Sequence, residues 1–129
     1  MELASGRKES MEVFGNDYNT VDGTGVRDYI HVSDLATAHV KALDYLSKNN
    51  KCATLNLATG EGYSVLEVIK KAEEISGKNI TYDIGKRRPG DPAKLIATSK
   101  LAFDLLAWDP KYSSLETLLS SMWNIYKND

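Results

Sequence analysis

The sequence has few of the residues that define specialised classes of protein. Its single cysteine, Cys52, excludes an internal disulfide and a cysteine-rich metal site, and it suits a reducing compartment, so we expect a cytoplasmic protein. Only 3 prolines and 9 glycines stand among 129 residues, too few for a fibrous or low-complexity chain. With 16 Lys and Arg against 18 Asp and Glu, the net charge of -2 argues against a nucleic-acid-binding protein. No apolar run approaches the length of a membrane span, and residues 1–10 contain no apolar signal segment.

The glycine-rich fingerprint of dinucleotide-binding proteins is also missing. Gly-x-Gly occurs at Gly23–Gly25 and at Gly60–Gly62, but neither pair is followed by the third glycine that completes the motif. A Tyr-x-x-x-Lys runs from Tyr82 to Lys86, yet it falls in a predicted strand, where the two side chains would lie roughly 13 Å apart. We therefore expect neither a bound dinucleotide nor a catalytic Tyr-Lys pair in these residues.

The residues that could bind a metal or act as a nucleophile are isolated. His31 and His39 have no carboxylate or cysteine at ligand spacing, so we assign neither to a metal. Cys52 has no neighbouring His or Arg to activate it, and we interpret it as a small, buried and inert thiol. The aromatic residues near the carboxyl end have the spacing of a packed pair of helices and are predicted to lie in the core. They are Trp108, Tyr112, Trp123 and Tyr126.

What the sequence does contain is the pattern of one small α/β domain over residues 1–129. The 42% hydrophobic and 26% charged residues are typical of a globular chain with a real core. Apolar alternation predicts short strands at Met11–Phe14, Val26–Val32, Thr54–Leu57 and Ile80–Ile84. Apolar residues at helical spacing predict four helices. These run from Ser33 to Ser47, from a capping box at Ser64 and Glu67 to Gly77, from Ser99 to Ala107, and onward from a capping box at Ser113 and Glu116.

Two of these helices have a recognisable apolar stripe that predicts the buried face. On the first helix the stripe consists of Leu35, Ala38, His39, Ala42, Leu43 and Leu46. On the last helix it consists of Leu115, Leu118, Leu119, Met122 and Ile125.

Two segments have the residue types of an anion site. Alternation along Val26–Val32 puts Arg27 and Tyr29 on one face, where a guanidinium could meet a phosphate and a ring could meet a base. Lys86–Asp91 places three cations and an acid on a loop that contains Pro and Gly. The alternative for both is an ordinary solvated polar surface, and spacing alone leaves that alternative open.

Five segments, in order along the chain, resemble the carboxyl-terminal part of UDP-glucose 4-epimerases of the extended short-chain dehydrogenase superfamily. The most specific segment is MEVFGNDYNTVDGTGVRDYIHV, from Met11 to Val32. The others are Ser33–Ala36 with His39, Asn56–Gly60, Tyr63–Val65 and Arg87–Ala93. The resemblance extends from about Gly6 to the last helix, and it implies the substrate-binding lobe of such an enzyme.

The resemblance also implies a role for particular residues. Arg27 and Arg88 would bind the diphosphate of UDP, and Asp91 would accept a hydrogen bond from a ribose hydroxyl. Phe14 and Tyr29 would lie around the uracil. Three further residues would complete the site, with Glu12 contributing mainly its backbone, Val65 lining the site, and Leu95 forming a wall of the hexose pocket. Because leucine is intermediate in size, tolerance of N-acetylated hexoses is a hypothesis.

In that family NAD and the catalytic Tyr-x-x-x-Lys belong to an amino-terminal Rossmann domain, which is absent from this sequence. The resemblance therefore implies that the chain binds no NAD, contains no catalytic residue and is inactive alone. Its expected partners are a UDP-sugar, such as UDP-glucose or UDP-galactose, and a separate NAD-binding lobe. The alternative function is a stand-alone, non-catalytic module that binds nucleotide sugars or another protein.

Overall fold

Short strands and four helices alternate along residues 1–127, the part of the chain that the computed structural model describes. The mixed α/β fold with four helices that the sequence predicts is confirmed. In chain order the elements are β1 (Met11–Phe14), β2 (Val26–Arg27), α1 (Val32–Asn49), β3 (Tyr63–Ser64), α2 (Val65–Ser76), β4 (Tyr82–Gly85), β5 (Lys94–Leu95), α3 (Lys100–Leu106) and α4 (Leu115–Tyr126).

The strands form two small sheets. In one sheet β1 and β4 are parallel, and their register pairs Met11 with Tyr82 and Phe14 with Gly85. In the other sheet β2 is central, antiparallel to β3 and parallel to β5. Because β1 and β4 are parallel and in register, both strands end at the same edge. The loops that follow them therefore begin side by side.

One of the predicted strands is too long, and another is not a strand. The predicted strand Val26–Val32 ends at Arg27, and Val32 already belongs to α1. The segment Thr54–Leu57 has no ladder partner among residues 1–127 and is not a strand. A strand exists only where another backbone pairs with it, which a pattern of side chains cannot report. The fourth predicted strand is displaced, since β4 begins two residues after Ile80.

The helix ends depend on local hydrogen bonds, and one of the two predicted capping boxes is present. Ser64 Oγ accepts from the amide of Glu67 at 3.1 Å, and the Glu67 carboxylate accepts from the Ser64 amide at 2.6 Å. Gly77 ends α2 with a left-handed φ of 65°. The predicted box at Ser113 is wrong, because Ser114 caps α4 and Ser113 Oγ instead donates to Asp34 at 2.6 Å.

The first helix also begins earlier than predicted. Its N-cap is His31 rather than Ser33, and His31 Nδ1 accepts from the Ser33 amide at 3.0 Å. Since Nδ1 accepts, the ring proton lies on Nε2, which is 2.9 Å from Ser121 Oγ on α4. His31 therefore joins the start of α1 to α4.

Both apolar stripes are only partly buried. On α1, Leu43 is 66% exposed and Leu46 is also exposed, whereas Asp34 and Ala38 are buried. On α4, Met122 and Ile125 are exposed while Leu115 and Leu119 are buried. The prediction of a buried face therefore holds only where another helix packs against it. That helix is α3 for α1 and α2 for α4.

Two clusters of apolar side chains form the core. The larger one joins β1, α2 and α4, and its buried members are Ala4, Val13, Ile69, Ala72, Ile80, Leu115 and Leu119. The smaller one lies between α1 and α3 and consists of Ala38, Ala102, Leu106 and Trp108. Trp108 and Trp123 belong to the core as predicted, but Tyr112 is exposed. Cys52 is exposed as well, which corrects the prediction of a buried thiol.

In the described part of the chain, no helix combines the length and the apolar character that crossing a membrane would require.

Candidate functional site

A cavity of about 610 Å³ lies between β1, β2, the loop after β4, and the facing sides of α2 and α4. Its floor is the apolar surface of the larger core cluster. Its rim contains charged and aromatic side chains from three separate parts of the sequence. Seven of the eight residues that the sequence predicts for the site line this cavity, namely Glu12, Phe14, Arg27, Tyr29, Val65, Arg88 and Asp91.

Arg27 lies on β2 at the rim and is held by two partners. Its Nη1 donates to the Val26 carbonyl at 2.7 Å, and its Nη2 donates to the Asp91 carboxylate in an ion pair. Gly25 leaves room for this side chain, since a Cβ there would lie 3.2 Å from Arg27 Nη1. Both members of the pair are partly buried, so the pair is screened less than a surface pair. Asp91 therefore orients the Arg27 guanidinium at the cavity.

Arg88 and Phe14 form the second cationic element. The guanidinium carbon of Arg88 lies 3.8 Å from the centroid of the Phe14 ring. Phe14 is the last residue of β1, and its register partner Gly85 precedes Arg88 by three residues. The stack is therefore a product of the parallel register, and it puts an aromatic face and a cation at one edge of the cavity.

Tyr29 lines the cavity from the segment between β2 and α1. Burial raises the pKa of its hydroxyl, and the positive charge of Arg27 opposes that effect only in part. The phenol is therefore neutral at physiological pH and offers a hydroxyl donor beside an apolar ring. Both properties suit the recognition of a flat, polar-edged ligand.

Asp22 fixes the start of α2, where Val65 lines the cavity, and sequence reasoning missed this acid. Its carboxylate accepts from the Thr24 amide at 2.9 Å and from Ser64 Oγ. Burial alone raises the pKa of Asp22, but these hydrogen bonds outweigh it, so the pKa lies below its ordinary value. The Val65 amide in turn donates to the Gly25 carbonyl at 3.2 Å. The only signal in the sequence was the Asp22-Gly23 turn.

Two predicted site residues have distinct positions. Glu12, on β1, lines the cavity, and its side chain covers Gly85, where an added Cβ would overlap the carboxylate. Leu95, on β5, is the register partner of Arg27 but is 61% exposed and does not line the cavity. Leu95 is therefore adjacent to the rim residue Arg27 but is not itself part of the cavity lining.

The two Gly-x-Gly pairs do not offer a cradle for a dinucleotide. A Cβ at Gly23 would overlap the Asn16 carbonyl oxygen, and a Cβ at Gly62 would lie 2.5 Å from the Ile96 side chain. Both glycines are therefore packed against the protein's own atoms rather than open to a pyrophosphate. Tyr82 lies on β4, as predicted, and not on a helix. These residues do not fit NAD, and within residues 1–127 no group of His, Cys, Asp and Glu side chains could bind a metal ion.

Comparison with known proteins assigns the family. The family model described as GDP-mannose 4,6 dehydratase matches residues 1–122, so the chain belongs to that family. Among curated relatives, the UDP-glucose 4-epimerase of Halalkalibacterium halodurans is 46% identical over 127 residues, which are 98% of this chain and 38% of that protein. The resemblance that the sequence motifs predict is confirmed. The chain spans a little over a third of the length of the curated relatives it matches.

Solved structures agree in fold. The UDP-glucose 4-epimerase of Stenotrophomonas maltophila, with bound NAD and formylated UDP-arabinopyranose, superposes with a TM-score of 0.92 at 42% identity, covering 98% of this chain and 38% of that one. The enzyme of Bifidobacterium longum, in complex with NAD+ and UDP, superposes with a TM-score of 0.87 at 41% identity, covering 99% and 38%. The described fold is therefore that of one part of these epimerases.

Proposed function

We propose that this chain is the UDP-binding part of a UDP-sugar 4-epimerase. The observation that supports this most strongly is the cavity rim, where Arg27, Arg88 and Asp91 meet Phe14 and Tyr29. These are a pair of cations for a diphosphate, an acid for sugar hydroxyls, and two rings for a base. The curated relatives are UDP-glucose 4-epimerases, and two of the solved relatives bind UDP or a UDP-sugar, which supports the same nucleotide.

Each contact has a chemical reason. The guanidinium groups of Arg27 and Arg88 are positively charged and carry planar donors that match phosphate oxygens. Asp91 can accept a ribose hydroxyl while it still pairs with Arg27, because a carboxylate has about four acceptor positions. Phe14 and Tyr29 would bury the faces of the uracil ring.

Binding through UDP suits a reaction that changes only the sugar. If affinity depends on the nucleotide, the hexose can present either face of its C4 carbon while the anchor stays in place. We infer that NAD and the catalytic residues lie in the part of the epimerase length that this chain does not span. In this chain, the residues that we assign bind and orient the substrate.

The proposal is tested by titrating the 129-residue chain with UDP, UMP and uridine, using amide NMR spectra and calorimetry. We expect saturable shifts at Phe14, Arg27, Tyr29 and Arg88 with UDP. We expect a dissociation constant between about 1 µM and 1 mM, or about 4 to 8 kcal/mol. Affinity should fall from UDP to UMP to uridine, because each loses phosphate charge. A folded chain that binds all three equally, or none, would overturn the proposal.

The epimerase assignment has its own test. Mixing the chain with the amino-terminal part of the Halalkalibacterium halodurans enzyme should restore conversion of UDP-galactose to UDP-glucose. A stand-alone binding module would bind UDP in the first experiment and leave this mixture inactive. The same mixture, offered UDP-N-acetylhexosamines, tests the role that the sequence predicts for Leu95. Exclusion of those sugars would reject the hypothesis that a leucine at this position leaves room for N-acetylated hexoses.

A further inference from the structure

Arg87 precedes Arg88 directly but has a different environment. Its guanidinium carbon lies 4.1 Å from the centroid of the Tyr18 ring, whereas Arg88 covers Phe14. Its Nε donates to the Asp17 carboxylate at 2.5 Å, and its Nη2 donates to the Asp17 carbonyl. Arg87 does not line the cavity. We call the contacts of Arg87 with Asp17 and Tyr18 the Arg87 latch.

The latch depends on the same parallel register that builds the cavity. Beyond the last pair of the ladder, the Gly15 amide donates to the Gly85 carbonyl at 3.0 Å, so the loops after β1 and β4 remain adjacent. Gly15 has a φ of 86°, and a Cβ there would lie 2.7 Å from Arg87 Cγ and 2.9 Å from the Tyr18 ring. The missing side chain of Gly15 is therefore what lets Arg87 lie over the Tyr18 ring.

The latch is anchored on its other side. Tyr18 is buried, and its amide donates to the Gly23 carbonyl at 2.9 Å, a bond within the loop between β1 and β2 that holds Tyr18 in place. The loop that carries Arg87 also carries Arg88 and Asp91, and the Asp91 amide donates to the Arg88 carbonyl at 3.3 Å. Fixing Arg87 thus restricts both of the residues that the loop contributes to the cavity rim.

We propose that Arg87 is a positioning residue of the nucleotide site, which holds the loop of residues 86–91 so that Arg88 stays over Phe14 and Asp91 stays beside Arg27. Its effect on ligand binding rests on the proposed UDP function. Its effect on the loop does not, because the latch is complete without a ligand. The side chains of Arg87 and Asp17 are 43% and 72% exposed, so solvent screens their ion pair. We therefore expect Arg87→Ala to weaken UDP binding about three- to tenfold rather than to abolish it.

The binding experiment compares Arg87→Ala, Asp17→Ala and the double variant by calorimetry with UDP. If Arg87 positions the loop, Asp17→Ala weakens binding too, and the double variant binds no more weakly than Arg87→Ala alone. If Arg87 instead attracts the diphosphate by its charge, Asp17→Ala strengthens binding, because it removes a negative charge. That outcome would overturn the proposal.

Two further variants separate shape from charge. Arg87→Lys keeps the charge but loses the planar group that stacks and donates twice, so we expect it to resemble Arg87→Ala. Full recovery in the lysine variant would also overturn the proposal. Lys86→Ala is the matched control, because this substitution removes a positive charge from the same loop. Within residues 1–127 the Lys86 side chain has no ion-pair or hydrogen-bond partner. The control should leave the affinity within about twofold of the original.

A ligand-free measurement keeps the latch testable if the chain does not bind UDP. The Tyr18 ring should shift the NMR signals of the Arg87 side chain upfield, and amide exchange at Gly90 and Asp91 should accelerate in Arg87→Ala but not in Lys86→Ala. If UDP does not bind but the upfield shift and the faster exchange are observed, the UDP function is rejected and the Arg87 latch is not. Unshifted Arg87 signals and unchanged exchange would reject the latch, whatever the ligand result.

Discussion

Arg27 donates to the Asp91 carboxylate although 64 residues of sequence separate them. The pair connects β2 with the loop after β4 at the cavity rim. In the free protein Asp91 neutralises part of the charge of Arg27, and it also restricts the orientation of the guanidinium. A diphosphate would therefore meet a cation whose geometry is already set, which lowers the entropy cost of binding.

The first prediction concerns Arg27. Arg27→Ala should weaken UDP binding about ten- to a hundredfold, because a charge-assisted hydrogen bond contributes roughly 1.5 to 3 kcal/mol. Calorimetry on both proteins measures the change. Lys94→Ala, on the neighbouring strand β5 but outside the cavity lining, removes the same charge and should have little effect. A change below threefold for Arg27→Ala would contradict its role in binding the diphosphate.

The second prediction concerns the stack of Phe14 and Arg88. Phe14→Leu keeps an apolar side chain on β1 but removes the aromatic face, so we expect UDP to bind about three- to tenfold more weakly. Phe103→Leu makes the same change on an exposed part of α3 and is the matched control. Equal affinities of the two variants, measured by fluorescence or calorimetric titration, would show that the Phe14 ring does not contact the ligand.

The third prediction concerns Asp34, which is only 1% exposed at the start of α1. Burial alone raises the pKa of this carboxyl, but hydrogen bonds from Ser113 Oγ and the amides of Lys111 and Tyr112 outweigh it and lower the pKa. The folded state therefore binds the proton less tightly than the unfolded state. The resulting stability is present above about pH 4 and is lost as the pH falls through the folded pKa.

We expect Asp34→Asn to reduce the free energy of unfolding by about 1 to 3 kcal/mol near neutral pH, because an amide cannot accept all three donors. The variant should also lose less stability than the original protein between pH 7 and pH 3. Urea unfolding, followed by the fluorescence of the buried Trp108, measures both effects. Asp109→Asn changes an exposed acid nearby and should alter neither quantity. Parallel pH profiles for the original and Asp34→Asn would contradict the prediction.

The fourth prediction compares two glycines with the same φ of 79°. At Gly60 an added Cβ meets no atom within 4 Å, whereas at Gly23 it overlaps the Asn16 carbonyl oxygen. Gly60→Ala should cost only the strain of the left-handed backbone, about 1 kcal/mol. Gly23→Ala should cost clearly more, because backbone atoms of the loop before β2 must move. Chemical denaturation of both variants gives the difference, and equal stabilities would show that the loop adapts freely.

Local features of the sequence were sufficient where a structure depends on neighbouring residues. The capping box of Ser64 and Glu67 and the end of α2 at Gly77 both follow from interactions within a few residues. The same reasoning failed for Val26–Val32 and Thr54–Leu57, since a strand requires a partner that lies far away in the sequence.

Burial was harder to predict than helix formation. The stripe on α1 predicts a helix correctly, yet Leu43 and Leu46 are exposed, and Cys52 is exposed as well. Periodicity identifies an apolar face, but the neighbouring elements decide how much of that face is covered. Ser113 was predicted to cap α4, but it is buried and its hydroxyl donates to the buried Asp34 instead.

The sequence by itself determined the family, the alternation of strands and helices, and the set of residues that the resemblance assigned to the site. Only the tertiary structure decided that seven of these residues line one cavity while Leu95 lies outside it. It also decided that Arg87 contacts Tyr18 while Arg88 contacts Phe14. The physical reason is the register of β1 and β4, since two parallel strands bring together loops that are about seventy residues apart in the sequence.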